Sequence, residues 1–182
     1  MLISRAALAA SWCIAVVLTG CRASSDFNED VAKNTIESAP VKLEGEQVTF
    51  TDQQIQCGTR GEYWDTPVSL SPEHSTAHLT DKGRNLKFND DVIIQDSTSH
   101  VPYVQVRGDF PLQVDSITSI KDGEDKTTKL AEAKVGVKID DACFQSPLPL
   151  MGVKHGNFSS DSPVVFRLHF DESGWHVSGI VH

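Results

Sequence analysis

The sequence predicts an α+β fold in which one or two short N-terminal helices cover one face of a curved antiparallel sheet. Helical patterns occur only in the first half of the 182 residues, whereas the second half is dominated by runs in which apolar and polar residues alternate. Turn residues separate consecutive runs, which is typical of antiparallel hairpins. The length suits one domain, which we place at residues 30–182, behind an export segment.

The N-terminal part of this domain predicts a helix, a strand and an irregular stretch. Residues 30–38 form a short helical pattern that Pro40 would end. Residues 47–56 predict a strand, because apolar Val48 and Phe50 alternate with polar neighbours. Residues 57–72 contain two glycines and a proline, which indicate irregular structure.

A second helix is predicted from Pro72 to about Leu86. Ser71 suits the N-cap, and Pro72 followed by an acid suits the first helical turn. On such a helix His74 and His78, four residues apart, would share a face and could chelate one metal ion. The alternative is a pair of histidines that face solvent.

The second half of the chain predicts successive strands. The Asp122-Gly123 dipeptide lies between two of them and is a strong hairpin signal. In the strand after this turn, alternate residues from Ala131 to Ile139 are apolar, which predicts a half-buried antiparallel strand. The predicted strands cover residues 92–95, 103–107, 110–120 and 129–139.

A final hairpin turns at Asp171–Gly174, and its apolar pattern predicts the register. The expected cross-strand pairs are Phe170 with Trp175, Leu168 with Val177, and Phe166 with Gly179.

The same register places His169 opposite His176 on the outer face, beside Arg167. Such a cluster could bind an anion, respond to pH or ligate a metal. The alternative is a solvated sheet surface.

This alternating strand, acidic turn and Trp-containing last strand resembles the end of nuclear-transport-factor-2-like or cystatin-like domains. The resemblance covers about the last 70 residues and implies helix packed on a curved sheet. The irregular stretch from Tyr63 departs from the helical start of those folds.

The first residues have the pattern of an export signal. Arg5 precedes an uncharged, apolar run from Ala6 to Leu18, which is shorter than the roughly 20 residues that a spanning helix needs. The segment Leu18-Thr19-Gly20-Cys21 resembles the lipobox of bacterial lipoproteins. The alternatives are an uncleaved anchor or an ordinary secretory signal with a coincidental cysteine.

The lipoprotein resemblance implies that Cys21 carries covalent lipid and becomes the first mature residue. Residues 1–20 would then be the signal peptide and residues 21–29 a lipidated tether. Several acyl chains give stable membrane anchoring, because each buried methylene contributes roughly 0.8 kcal/mol. Arg22 stands where inner-membrane lipoproteins of enteric bacteria carry Asp, which favours a periplasm-facing position on the outer membrane.

Cysteine use then predicts one disulfide. Cys13 leaves with the signal peptide and Cys21 is lipidated, so Cys57 and Cys143 remain in an oxidising compartment. A bridge would close a loop of about 86 residues (143 minus 57). The alternative is two free thiols, one of them a nucleophile.

Two loops are candidates for a partner-binding surface. Tyr63 and Trp64 lie in the irregular stretch after Cys57, and Leu148 and Met151 follow Cys143. A bridge would bring both loops together, and exposed aromatic residues are enriched at interfaces. The alternative is that Trp64 folds back over the core.

Composition narrows the function. The net charge of −9 becomes about −10 when Arg5 leaves, which argues against nucleic acid and fits a basic partner. The chain contains no Gly-x-Ser-x-Gly elbow, phosphate-binding loop or dinucleotide fingerprint, and we expect no cofactor besides the lipid. The sequence favours a non-catalytic protein-binding lipoprotein, such as an inhibitor or immunity protein. The alternatives are an accessory subunit of an envelope complex and a small-ligand-binding or hydrolytic cavity domain.

Overall fold

The computed structural model describes residues 27–71, 74–95, 101–154 and 156–181. The predicted signal peptide, Cys21 and most of the predicted tether lie outside these ranges. The α+β class is confirmed, and every strand pair in the described ranges is antiparallel. None of the described helices is long and apolar enough to cross a membrane.

Three helices and twelve strands make up the described fold. The helices are α1 (Glu29–Glu37), α2 (Asp52–Arg60) and α3 (Asp81–Asn85). The strands are β1 (Val41–Thr49), β2 (Val68–Ser71), β3 (His74–Ala77), β4 (Phe88–Gln95), β5 (Tyr103–Phe110), β6 (Leu112–Asp122), β7 (Thr128–Val137), β8 (Leu148–Pro149), β9 (Gly152–Lys154), β10 (Asn157–Ser159), β11 (Val164–Asp171) and β12 (Gly174–Val181).

The strands form two five-stranded sheets and a separate hairpin. The first sheet has the order β1-β5-β4-β3-β2, and the second has the order β12-β11-β7-β6 with β8 added beside β7. The segment after β8 connects the sheets, because Leu150 bridges Val48 of β1 and the Met151 amide donates to the Gln47 carbonyl at 2.8 Å. β9 and β10 pair only with each other among the described strands.

Helix α1 confirms the first helical prediction to within one residue at each end. The Asn28 side chain caps it by accepting from the Val31 amide at 3.0 Å, and acids in the first turn suit the helix dipole. Its apolar side buries Ala32 and Ile36. Just before the helix, the Phe27 ring packs on Trp175 of β12 with centroids 4.4 Å apart.

The predicted strand at 47–56 and the irregular stretch that begins at residue 57 are partly wrong. Strand β1 ends at Thr49, and helix α2 occupies residues 52–60. Thr51 and Gln54 form a reciprocal capping box, which satisfies two backbone donors at the helix start. This local signal outweighs the weak apolar alternation around Ile55.

The predicted helix from Pro72 to Leu86 is also wrong. His74–Ala77 is a strand that pairs with β4, where Ala77 lies opposite Val92 and both are buried. Helix α3 covers only residues 81–85, with Thr80 as its cap. Pairing with β4 therefore overrides the local helix-start signal at Ser71, while Pro72 and Glu73 themselves lie outside the described residues.

The two predicted hairpins of the second sheet are confirmed, with one correction. In β7 the predicted inner face is buried at Ala131, Ala133, Val135 and Val137. In the last hairpin Phe170 pairs with Trp175 and Leu168 with Val177, as expected. Phe166, however, lies opposite Ile180 and not Gly179, because a bulge at Ser178 inserts one residue into β12.

The core is one cluster that draws side chains from both sheets, α1 and the segment after β7. Its aromatic part lies beneath α2 and includes Phe50, Trp64, Phe88 and Phe144, whose ring centroids are 5.4–6.4 Å apart in the contacting pairs. Such tilted and edge-on contacts stabilise beyond the burial of area alone.

Candidate partner-binding groove

The Cys57–Cys143 disulfide is present, with the two Cα atoms 5.5 Å apart. It joins α2 to the segment between β7 and β8, and that segment also inserts Phe144 into the core. The bridge therefore holds α2 next to the segment that carries Phe144, and the cysteines are not free thiols.

The predicted binding surface around the bridge is wrong, because its side chains are buried. The exposed fractions are 5% for Tyr63, 1% for Trp64, 0% for Leu148 and 6% for Met151. Trp64 instead folds back over the core, as the alternative interpretation expected. Its indole lies against Gly58 of α2, and its Nε1 donates to the Thr59 hydroxyl at 3.0 Å.

Tyr63 ties this buried corner to the disulfide segment. Its hydroxyl donates to the Asp141 carboxylate, and this hydrogen bond, followed by burial, raises the pKa of Tyr63 to about 12. The other Asp141 oxygen accepts from the Cys143 amide at 2.9 Å. The arrangement holds the chain together and leaves the phenol protonated at neutral pH.

His74 and His78, which were candidates for a metal pair on a helix, do not share a helical face. His74 begins β3 and His78 follows its end, so four residues of extended chain separate their Cα atoms by roughly 13 Å. The His78 Nδ1 atom instead lies 2.7 Å from the Asp91 carboxylate, and both side chains are substantially exposed.

His169 and His176 lie opposite each other as predicted, with ring centroids 5.6 Å apart. The His176 Nδ1 atom is 3.6 Å from the Asp171 carboxylate, which also accepts from the Ser173 hydroxyl. That hydroxyl hydrogen bond is the main reason why the pKa of Asp171 lies below its usual range. In the described part of the chain, no three His, Cys, Asp or Glu side chains are grouped so that they could hold a metal ion.

The structure exposes apolar side chains that the sequence reasoning did not single out. Val153 of β9 and Phe158 of β10 lie directly opposite each other and are 39% and 57% exposed. Gly156 at the turn has φ +79°, a left-handed conformation that glycine adopts readily. Apolar residues on both sides of His155-Gly156 were the available signal for this hairpin.

Phe158 forms one wall of a surface groove of about 410 Å³. The opposing walls come from β1 and β5 of the first sheet. We call this feature the hairpin groove; its lining residues are Glu44, Gly45, Glu46, Gln47, Gln105, Met151 and Phe158.

A β-bulge in β1 gives the hairpin groove its acidic wall. The ladder to β5 shifts register between Glu44 and Glu46, and Gly45 has φ +133°, which disfavours any side chain there. The Glu46 carboxylate accepts from the Glu44 and Gly45 amides at 2.5 and 3.1 Å, which holds the bulge in shape. Glu44 pairs with Lys42 at 2.6 Å on the exposed surface.

The hairpin groove therefore combines two carboxylates and two side-chain amides with an exposed aromatic ring. This set can accept hydrogen bonds from a cationic group while it buries an adjacent apolar group. Comparisons with protein-family models, with curated proteins and with solved structures found no match to this chain.

Proposed function

We propose that this chain is a lipid-anchored lipoprotein of the bacterial envelope that faces the periplasm and binds a protein partner through the hairpin groove. Cys21 carries the lipid, and the partner offers a basic segment with an apolar side chain. An inhibitor or immunity protein acts in this way. The observation that carries the proposal is Phe158, which is 57% exposed beside the acidic bulge of β1.

Phe158 supplies the apolar part of the interaction. Full burial of an exposed Phe side chain stabilises a complex by about 1.5–3 kcal/mol, and aromatic side chains near the centre of an interface often dominate its affinity. Val153 lies beside Phe158 on the same hairpin and extends the apolar surface.

Charge supports a basic partner. The chain carries a net charge of −9, and of the two carboxylates that line the hairpin groove Glu44 is paired with Lys42. The excess of acidic groups over the whole surface speeds the approach of a basic protein. Because this attraction is screened, binding should weaken as the salt concentration rises.

The test of the groove uses the full-length lipoprotein in its own membrane. A photo-crosslinking residue at position 158 should capture a partner through a basic segment, whereas the same residue at position 70 should not. Leu70 is a matched control because it is 65% exposed and lies on β2, at the opposite edge of the first sheet from β1.

Direct binding then decides the role of the groove. With the captured partner purified, Phe158→Ala should weaken binding about tenfold or more, and Leu70→Ala should leave it unchanged. Glu44→Gln should mainly slow association and reduce the salt dependence. Equal behaviour of the Phe158 and Leu70 variants would show that the groove is not the binding surface.

The anchor has a separate test. Cys21→Ser should release the protein from the membrane fraction and remove metabolically incorporated palmitate. A variant that stays in the membrane fraction and still carries palmitate would contradict lipidation at Cys21, whatever the groove does.

A further inference from the structure

Two imidazole rings face each other on the outer side of the last hairpin. His169 of β11 lies directly opposite His176 of β12, and their ring centroids are 5.6 Å apart with the ring planes inclined at 75°. Both residues are partly exposed, and the His176 side chain keeps 43% of its accessible surface. Water and small ions can therefore reach both rings.

The separation of the rings suits two histidines bound to one metal ion. A Zn–N bond of about 2.0–2.1 Å, with about 1.1 Å from the nitrogen to the ring centre, places each ring centre about 3.2 Å from the metal. At a tetrahedral angle the two centres would then lie about 5.2 Å apart. The observed 5.6 Å is close to this value, and a small rotation of either ring removes the difference.

The neighbours of the rings favour Nε2 as the metal-binding atom. Nδ1 of His176 lies 3.6 Å from the Asp171 carboxylate, and Nδ1 of His169 lies 3.5 Å from the Thr128 hydroxyl. An oxygen acceptor beside Nδ1 favours the tautomer that carries its proton there, which leaves the lone pair of Nε2 for a metal. Histidines that bind metals commonly have such an acceptor at their other nitrogen.

The charge around the pair favours a cation. Asp171 accepts from Ser173 and is an exposed carboxylate beside the pair. A second carboxylate, Asp125, has a lowered pKa, chiefly because of the hydrogen bond from Thr127 and to a smaller extent because of His169. Arg167, two residues before His169 on the same face, opposes them with a single positive charge. These two carboxylates therefore outweigh the guanidinium.

We propose that His169 and His176 bind one divalent transition-metal ion through their Nε2 atoms, with water at the remaining positions. Imidazole nitrogen suits Zn²⁺, Cu²⁺ and Ni²⁺, whereas Mg²⁺ and Ca²⁺ prefer oxygen ligands. Among the transition metals, Cu²⁺ should bind most tightly. Two protein ligands make the site open and exchangeable, unlike the closed four-ligand cage of a structural zinc site.

An ion held in this way would join the two strands of the last hairpin. Folding holds the two rings opposite each other, so the folded chain should bind the ion more tightly than the unfolded chain does. The ion should therefore raise the melting temperature. The pair lies at the turn end of β11, and the proposal depends neither on the hairpin groove nor on the lipid at Cys21.

The experiment titrates Zn²⁺ and Cu²⁺ into the full-length protein in detergent micelles, prepared without a histidine tag. Nitrogen NMR should show the Nε2 resonances of His169 and His176 shifting together as the ion is added. The melting temperature should rise over the same range of ion concentration. Mg²⁺ should change neither measurement, because it prefers oxygen ligands.

Variants assign the binding to the pair. His169→Ala and His176→Ala should each weaken Zn²⁺ binding at least tenfold in calorimetry, and the ion should no longer raise the melting temperature. His78→Ala is the matched control, because His78 is also exposed and lies 2.7 Å from a carboxylate, that of Asp91. This variant should bind Zn²⁺ within twofold of the wild type.

Three outcomes would overturn the proposal. The first is a wild-type protein in which a large excess of Zn²⁺ or Cu²⁺ leaves both rings unshifted. The second is an ion that shifts only one of the two rings. The third is a loss of affinity in His78→Ala as large as that in His169→Ala and His176→Ala. The ring shifts are measured on the wild type, so they decide the matter even if a variant fails to fold.

Discussion

Removal of the Cys57–Cys143 bridge should lower the free energy of unfolding by about 4–5 kcal/mol. The bridge spans 86 residues, and the loop-entropy relation gives about 4.6 kcal/mol at 25 °C for that length. A domain of this size is stabilised by roughly 5–15 kcal/mol in total, so the loss is a large fraction. The melting temperature should fall by roughly 10–18 °C.

The assay is urea unfolding of the Cys57→Ala/Cys143→Ala double variant, followed by tryptophan fluorescence. Trp64 is 1% exposed and lies in the aromatic cluster next to the bridge, so its emission reports loss of this region. The urea dependence should also steepen, because the unbridged unfolded chain exposes more surface. Each single cysteine variant should lose about as much as the double variant. A loss below about 1 kcal/mol with an unchanged urea dependence would refute the entropic reasoning.

Three further predictions concern the same buried corner and α1. Tyr63 has a folded pKa of about 12, so it keeps its proton where the unfolded chain ionises. The contribution of Tyr63 to the free energy of unfolding should therefore be complete below about pH 10 and decrease as the pH rises towards 12. The free energy of unfolding of Tyr63→Phe should decrease less steeply over this range. An equal decrease in the two proteins would contradict the raised pKa. Gly58→Ala places a Cβ 2.0 Å from the Trp64 ring and should cost about 1–3 kcal/mol in urea unfolding, and a neutral effect would show that the indole moves freely. Asn28→Ala removes the cap of α1 and should cost about 1 kcal/mol, whereas Asn28→Asp should retain stability; equal losses would exclude the cap as the cause.

The second sheet could be predicted because its patterns are local. The alternation from Ala131 to Val137 and the Asp122-Gly123 turn predict the hairpin of β6 and β7 that the structure contains. The apolar alternation of the last two strands likewise predicts the pairing of Phe170 with Trp175. The bulge at Ser178 could not be predicted from the pattern. Ile180 and Val181 are both apolar, so the sequence fits the register with the bulge as well as the register without it.

The first half was harder because long-range contacts decide its elements. The segment from His74 to Ala77 is extended because β4 pairs with it, and the predicted strand at residues 92–95 did not indicate which segment would pair with it. Helix α2 was missed even though the capping box of Thr51 and Gln54 is visible in the sequence, since its polar composition hid the signal.

The candidate site shows the same division. The disulfide followed from counting cysteines, but the burial of Tyr63 and Trp64 required knowing that α2 lies over them. The hairpin groove joins β1 to β10, which are about 110 residues apart in the chain. Because these residues are brought together only by the topology of the fold, no local sequence motif predicts the groove.

The contact of Phe27 with Trp175 limits how far the domain of the proposed lipoprotein can lie from its lipid anchor. Six peptide units separate Cys21 from Phe27, so a lipid on Cys21 would lie within about 20 Å of the Phe27 backbone, which is next to Trp175. β11 rises roughly 26 Å from that turn to its first residue, where the backbone of Gly152 meets the chain at the base of the Phe158 hairpin. In the proposed lipoprotein the turn between β11 and β12 would therefore stay near the lipid, whereas the hairpin that carries Phe158 begins near the other end of β11. Shortening the tether would lower the groove towards the membrane without altering a single contact inside it.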